Sequence, residues 1–281
     1  MVLSPAPTAE HHEHVPSARV ARWVQRAVGY RIVGYPAGVH IGMPSGTVTL
    51  VLPLDAPLTV ADGRAAPLAY DAVLAGLATH PAHIHHDGNQ HGVQLALRPG
   101  AVRELFGCPA AELAEGSYEL GDLLGPRVAW LCEQLHATGS WAARFERVEA
   151  LLGELARQHD RASEARPEVR EAWRVIRAGG GRAPIRTVAR HVGWSTRRLQ
   201  EQFGAEFGLS PKGAARVARF ERSVGLVAAG RQPLTEVAVA CGWSDHAHMD
   251  RDWRQFAGVA PSRWRGVDAL AAGPPPGVPA D

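Results

Sequence analysis

The sequence predicts an α+β protein of two domains, a β-rich one followed by an all-helical one, on three observations. Between Tyr30 and Leu97 the apolar residues come in short runs, "YRIVGY", "HIGM", "TVTLVLPL", "PLTV", "AVLAGLA", "AHIHH" and "HGVQLAL". These runs are rich in β-branched residues and broken by Gly, Pro and Asp-Gly, the pattern of strands. Beyond Pro167 the apolar residues recur at helical spacing as far as Gly266. Within that second half one short pattern, ending in Gly-Trp-Ser, occurs twice.

The first half divides further. Residues 1–17 are polar and Pro-rich and read as a disordered tail. A short helix is expected around Val20 to Ala27, then the strands, in a domain spanning 18–160. Pro99-Gly100 ends the last strand, "AVRELFG" and "PAAEL" read as short helices, and two longer helices form a hairpin over Pro126 to Ala137 and Ser140 to Gln158. Ser140 suits the N-cap of the second. Its stripe of Trp141, Phe145, Val148, Leu152 and Leu155 fits either its own domain's core or a dimer face. The polar stretch ending at Pro167 places a linker at 161–166. The all-helical domain then covers 167–266, with helices over Glu168 to Ala178, Ile185 to Val192, Ser195 to Phe207, Pro211 to Ala229, Leu234 to Cys241 and Ser244 to Ala257, and a last turn at Pro261 to Arg265. Residues 267–281 read as a second disordered tail.

Composition narrows the class. A chain of 281 residues, 46% hydrophobic and 21% charged, has enough apolar material for two cores and argues against wholesale disorder. Cys108, Cys132 and Cys241 are odd in number and widely spaced, so they support neither a disulfide framework nor a metal site and fit a reducing cytoplasm. No secretory leader pattern opens the sequence and no run of 18 apolar residues follows, so a cytoplasmic protein without a membrane partner is expected. The net charge of +2 hides an asymmetry. Residues 1–166 hold 13 Arg against 17 acids, a net −4, whereas 167–267 hold 17 basic residues against 9 acids, a net +8. A basic module carried by an acidic one points to a polyanion.

The repeat gives that module a shape. Val188, Ala189, Val192, Gly193, Trp194 and Ser195 match Val237, Ala238, Cys241, Gly242, Trp243 and Ser244 at an offset of 49. After one inserted residue, Leu199, Phe203, Gly208 and Pro211 match Met249, Trp253, Gly258 and Pro261 at an offset of 50. Each copy reads as helix, glycine turn, helix. A small residue, Ala189 or Ala238, lets the helices cross closely; Gly193 or Gly242 takes the left-handed backbone angle at the turn. The tryptophan plugs the core, and Ser195 or Ser244 caps the second helix. The outer faces of the two second helices carry Thr196, Arg197, Arg198, Gln200 and Glu201 in the first copy, and His246, Ala247, His248 and Arg251 in the second. Arg suits guanine edges and Gln suits adenine, so the pair of units points to double-stranded DNA.

On these residues the region from about Pro167 to Arg265 resembles the DNA-binding domain of the AraC/XylS family of transcription regulators. "IRTVARHVGWSTRRLQEQF" and "LTEVAVACGWSDHAHMDRDWRQFAGVAPSRWR" are similar to the family's two helix-turn-helix units, and "SPKGAARVARFERSVGLVAAG" to the long helix between them. The resemblance implies two recognition helices in successive major-groove segments, with base contact on Arg197, Gln200 and Glu201, and on His246, Ala247, His248 and Arg251. Glu201 departs from the Arg the family often has there, and Met249 and Trp253 replace phenylalanines. The resemblance also implies a sensor or oligomerisation domain ahead of the DNA-binding one, cupin-like or related, with a small-molecule effector, a second copy of the chain and, for an activator, RNA polymerase as further partners.

The first half offers two candidate sites. In "HPAHIHHDGNQHG" a hairpin turning at Asp87-Gly88 places His83 and His85 on one strand face with His91 across from them, a candidate set of zinc or iron ligands. A cupin-like metal-dependent protein with an appended DNA-binding domain is therefore the alternative, although Gln90 stands where a carboxylate is expected, and no metal or cofactor is called for. Walls for an effector pocket would come from Tyr35, His40 and Met43, with Tyr70 and Trp130 as further aromatics. A DNA-repair methyl acceptor would need a cysteine-rich centre that the scattered cysteines do not supply. No Ser/His/Asp order, P-loop or dinucleotide fingerprint is present, so no enzyme is expected.

Overall fold

Alternation of apolar and polar residues folds the first half into two antiparallel sheets, as the strand runs predict. The computed structural model describes residues 6–63, 65–159 and 165–264. One sheet holds β1 (Thr8–His14), β2 (Val24–Val33), β9 (Gln90–Leu97), β4 (Val48–Pro53), β7 (Val73–Ala75) and β10 (Ser117–Glu119), side by side in that order. The other holds β3 (Gly38–Gly42), β8 (Ala82–His86), β5 (Leu58–Asp62) and β6 (Leu68–Tyr70). Because side chains alternate along a strand, the larger sheet has two apolar faces. Tyr30, Ile32, Val51 and Val73 meet Val60 and Tyr70 of the smaller sheet. Val48, Leu50, Leu52, Val93, Leu95 and Leu97 face the helices instead.

Those helices are α1 (Ala101–Phe106), α2 (Leu120–Leu124), α3 (Arg127–Ala137) and α4 (Trp141–Gln158). Ser140 caps α4, accepting from the Ala143 amide at 3.2 Å, as expected. Phe145, Val148, Leu152 and Leu155 are all buried, so the stripe packs onto its own domain. Trp141 at its start lies flat over Gly29 of β2, where even a methyl group would collide with the indole. Arg144 stacks on that indole at 4.7 Å and donates to the Leu135 carbonyl, closing the α3–α4 corner.

The structure corrects three expectations here. Thr8–His14 is not a disordered tail: it pairs with β2 from Thr8 opposite Val33 to His14 opposite Ala27. Its hold comes from the histidines, His12 stacking on Trp141 and His14 on Phe145 with its ring nitrogen 3.0 Å from Glu149. The helix expected over Val20 to Ala27 is a turn followed by the start of β2, because strand pairing with β9 overrides the local helical spacing. Asp87-Gly88 does turn the chain, but β8 pairs with β3 and β5 while β9 pairs with β2 and β4, so the two strands enter different sheets. Of the remaining expectations, the linker at 161–166 falls largely on, and the tail at 267–281 wholly on, residues outside those described.

The second half is helical throughout: α5 (Pro167–Ala178), α6 (Ile185–His191), α7 (Thr196–Phe207), α8 (Pro211–Ala229), α9 (Leu234–Cys241), α10 (His246–Ala257) and α11 (Pro261–Trp264). Trp173 packs on Phe203 and Phe207 in a first core, continuous with that of the preceding domain. Phe220, Met249, Trp253, Phe256 and Trp264 form a second. Trp253 satisfies its indole N–H on Ser223 Oγ at 2.9 Å. Among the described residues no helix is long and apolar enough to cross a membrane.

Polar and close-packed contacts among the described residues tie the halves together. Arg103 of α1 donates to the buried carboxylate of Glu206 on α7 at 2.8 Å. Glu221 of α8, equally buried, accepts from Arg177 of α5 and from the Gly46 amide at 3.2 Å. Gly208, ending α7, lies against Ala111 and Ala114, and Gln255 of α10 donates to the Thr79 carbonyl at 3.2 Å.

The seat of Trp141 is directly testable. Gly29→Val should destabilise the protein by about 1 to 3 kcal/mol through overpacking. Gly100→Ala, at a position open to solvent with a helical backbone angle, should change it by less than about 0.5 kcal/mol. Urea denaturation of both variants checks this; equal effects would mean that the indole does not rest on the strand.

Candidate nucleic-acid interface

Each helix-turn-helix unit is built by the same local rules. In the first, Val188 and Ala189 of α6 are buried, Gly193 turns the chain at φ 72°, and the Trp194 amide donates back to the Ala189 carbonyl at 2.9 Å. In the second, Val237 and Ala238 of α9 are buried, Gly242 stands at φ 92°, and Trp243 donates to Ala238 at 3.0 Å. These reversed bonds satisfy carbonyls that the ending helix leaves open. Both tryptophans are buried beneath the turn.

The caps differ. Ser195 caps α7 as expected, its Oγ accepting from the Arg198 amide at 3.2 Å. Ser244 does not cap α10: Asp245 does, accepting from the His248 amide at 2.7 Å, while Ser244 donates to the Asp245 carboxylate. The residue inserted between the two matched segments is what moves the cap one position along. A carboxylate at a helix N-terminus is well placed against the positive end of the helix dipole. The His248 amide, first, and the Ser244 hydroxyl hold its pKa below the ordinary aspartate range.

All nine residues singled out from the sequence lie on the outer side of α7 or α10, toward the N-terminal end. Thr196, Arg197, Arg198, Gln200 and Glu201 are exposed, as are Ala247 and Arg251, whereas His246 and His248 are half-buried. Arg197 and Glu201 pair at 2.9 Å with side chains 89% and 58% exposed, an interaction that water screens heavily and a ligand can displace. Arg198 lies over the Trp194 ring at 4.9 Å. In α10, His248 Nδ1 is 3.2 Å from Ser244 Oγ. His246 Nε2 lies 3.3 Å from Asp250 Oδ1, close enough for an ion pair but not aligned as a hydrogen bond. The contacts to the first domain fall on Glu206 and Gln255, in the C-terminal halves of α7 and α10, and on Gly208 just past α7, and leave the N-terminal halves open.

Besides Asp245, one residue important to this geometry was not singled out from the sequence. Asp252, buried on the inner side of α10, accepts from Trp243 Nε1 at 2.8 Å and from Arg216 of α8 at 2.7 Å. It thus locks turn, recognition helix and connecting helix together. Its counterpart in the first unit is Gln202, so the repeat itself gives no signal for it.

The candidate sites of the first half come apart. His83 and His85 stand on β8 in the smaller sheet, whereas His91 on β9 faces α4, its Nδ1 3.0 Å from Asp55 and its Nε2 3.3 Å from Arg144. Among the described residues no group of three His, Cys, Asp or Glu side chains is arranged to hold a metal ion. Tyr35 packs against the inter-sheet core and Met43 against the core of the second helix-turn-helix unit, so the two do not share a wall. Trp130 is 60% exposed on α3. Tyr70 lies in the inter-sheet core, its hydroxyl donating to the Ser117 carbonyl at 3.3 Å. His40 pairs across strands with Ile84, facing the smaller sheet's inner side. Burial, first, and the nearby His86 push its pKa down to about 4, so it is neutral. Its Nδ1 and the Nε2 of Gln90 are both buried without a hydrogen-bond partner.

Comparisons place this geometry among known proteins. A family model described as a helix-turn-helix domain, of the AraC type, matches residues 188–266. A probable AraC family transcriptional regulator from Rhodopseudomonas palustris is 30% identical, over 35% of this chain and 94% of its own, with a TM-score of 0.33. ToxT from Vibrio cholerae is similar over 85% of this chain and 95% of its own, at 9% identity and a TM-score of 0.50. A ToxT structure bound to (E)-4-(8-methylnaphthalen-1-yl)but-3-enoic acid covers 92% of this chain and 98% of its own, at 10% identity and a TM-score of 0.50. Among curated proteins none matches.

The caps give a direct check of the turn geometry. Ser195→Ala should cost about 1 kcal/mol, and Asp245→Ala should lower the melting temperature clearly more than Ser244→Ala. Because the Asp245 carboxyl is held below its ordinary range, its contribution is present above the unfolded-state value and lost as the pH falls through the depressed one. A larger effect from Ser244→Ala, measured by thermal melting, would contradict the assigned cap.

Proposed function

Because the chain belongs to the AraC family of DNA-binding transcription regulators, we propose that α7 and α10 read two adjacent major-groove segments on one face of a duplex. The observation that carries this reading is the shared orientation of chemistry. Both second helices are capped at the N-terminus, both turn their polar residues outward there, and both are joined by the single helix α8. Arg197, Gln200 and Glu201 then contact bases in one segment and His246, Ala247, His248 and Arg251 in the next, with Thr196 and Arg198 beside them. Glu201 accepts from a cytosine amino group once Arg197 leaves it for a guanine. The net +8 of residues 167–267 supplies the phosphate attraction.

The first domain serves as an effector-binding or pairing module in the cytoplasm, where the DNA is. The small organic acid in the ToxT structure supports a ligand role for a domain of this fold. RNA polymerase is the further partner if the protein activates. The metal-dependent alternative loses its donor set, since His83 and His85 stand apart from His91, and no enzymatic step is assigned.

Selection from random DNA with the full chain should return two short motifs separated by about one helical turn. Arg197→Ala should weaken the selected site by about 1 to 3 kcal/mol and relax base choice at one position. Equal weakening on every sequence would contradict a base contact. Affinity should fall steeply with salt as counterions are released; a flat response would exclude phosphate-driven binding.

A further inference from the structure

Near the corner where β8 passes into β9, three polar side chains face the inter-sheet core. His40 and His86 both point inward from the smaller sheet, ring centroids 5.8 Å apart. His86 Nδ1 accepts from the Gly88 amide at 3.2 Å, which places its proton on Nε2. Gln90, two residues past that turn, pairs with Ile32, whose side chain lies in the inter-sheet core. His40 Nδ1 and Gln90 Nε2 are buried yet unpartnered, and buried polar atoms in native proteins are seldom left so unless something else meets them.

The charge around this corner is as informative. None of the strands β3 to β9 contains a Lys or Arg. The cation on the inward side of β2, Arg26, stands six residues from Ile32, about 20 Å along the strand, and pairs with Glu13. A buried carboxylate needs a charged partner, and among the described residues these strands bring no Lys or Arg to this corner.

We propose that the corner formed by His40, His86 and Gln90 holds the carbonyl or hydroxyl oxygen of an uncharged, mainly apolar molecule, its hydrocarbon part lying along Tyr30, Ile32, Val60 and Tyr70. Gln90 donates to that oxygen through Nε2 and His86 through Nε2–H, and His40 Nδ1 completes the set by accepting from a hydroxyl or donating to a carbonyl. The inference rests on the reading of this domain as the effector-binding one and adds the ligand's class. It also gives the ligand a route to the DNA-binding half. His40 is three residues from Met43, which packs on the second helix-turn-helix core, and six from Gly46, which donates to Glu221 of α8.

The test uses the full chain and three probes of equal length, 2-decanone, 1-decanol and decanoate, at neutral pH, with binding read by titration calorimetry and thermal melting. The ketone and the alcohol should bind and raise the melting temperature, and decanoate should bind at least tenfold more weakly. Gln90→Leu and, as a second variant, His40→Phe should each weaken ketone binding at least tenfold while melting cooperatively and binding the selected DNA as the wild type does. Decanoate binding as tightly as the ketone would overturn the proposal. So would no binding of either neutral probe, as expected if only water meets these atoms, or unchanged ketone affinity in Gln90→Leu. Each of these failures, with selected DNA still bound, leaves the regulator reading intact. That reading fails separately if the wild type selects no DNA.

Discussion

Helix α8 is a wall of two cores at once, and the arrangement of the second half follows from that. Its first turns give Ala214 and Ala215 to the core shared by α5, α6 and α7, and its later turns give Val217, Phe220, Val224 and Val227 to the core of α9 and α10. A single helix of 19 residues, about 28 Å long, therefore fixes both the distance and the rotation between α7 and α10. Its two faces are held by buried charge as well as by apolar packing. Arg216 meets Asp252 beneath the second turn, and Glu221 meets Arg177 of α5 on the other side. Loss of one partner from such a pair leaves a buried charge, which costs about 3 to 5 kcal/mol, so neither unit can swing about the rod cheaply.

The first domain is joined to this rod rather than hung from it. Glu221 is the meeting point, bound to Arg177 within the helical half and to the Gly46 amide across the domain boundary. Arg103 reaches Glu206 near the end of α7, Gly208 just past it lies against Ala111 and Ala114, and Gln255 on α10 reaches the loop at Thr79, so both recognition helices are touched at or near their C-terminal ends. The segment from His40 to Gly46 runs from the inter-sheet corner to α8 without an intervening element. A ligand that shifts His40 moves a chain already engaged with the second unit.

The helical half was legible in the sequence because its signals are local and repeated: a glycine that must take a positive φ, an aromatic beneath it, a short polar cap. What escaped was the cap of α10, where an inserted residue passes the role from Ser244 to Asp245, and Asp252, whose partners lie 9 and 36 residues away. The first half was legible as strands but not as sheets. Strand runs do not say which strand pairs with which, so β8 and β9 looked like a hairpin and His83, His85 and His91 like one cluster. The N-terminal strand looked like a tail because its residues are polar. Its hold on Trp141, Phe145 and Glu149 is made by histidine side chains that composition counts against order.

The central claim is geometric: one stiff helix sets two reading heads on the same side of a duplex. Hydroxyl-radical footprinting of the full chain on a selected site tests it most directly. Two protected stretches centred about one helical turn apart on one face are the expected result. A single stretch, or two on opposite faces of the duplex, would contradict it.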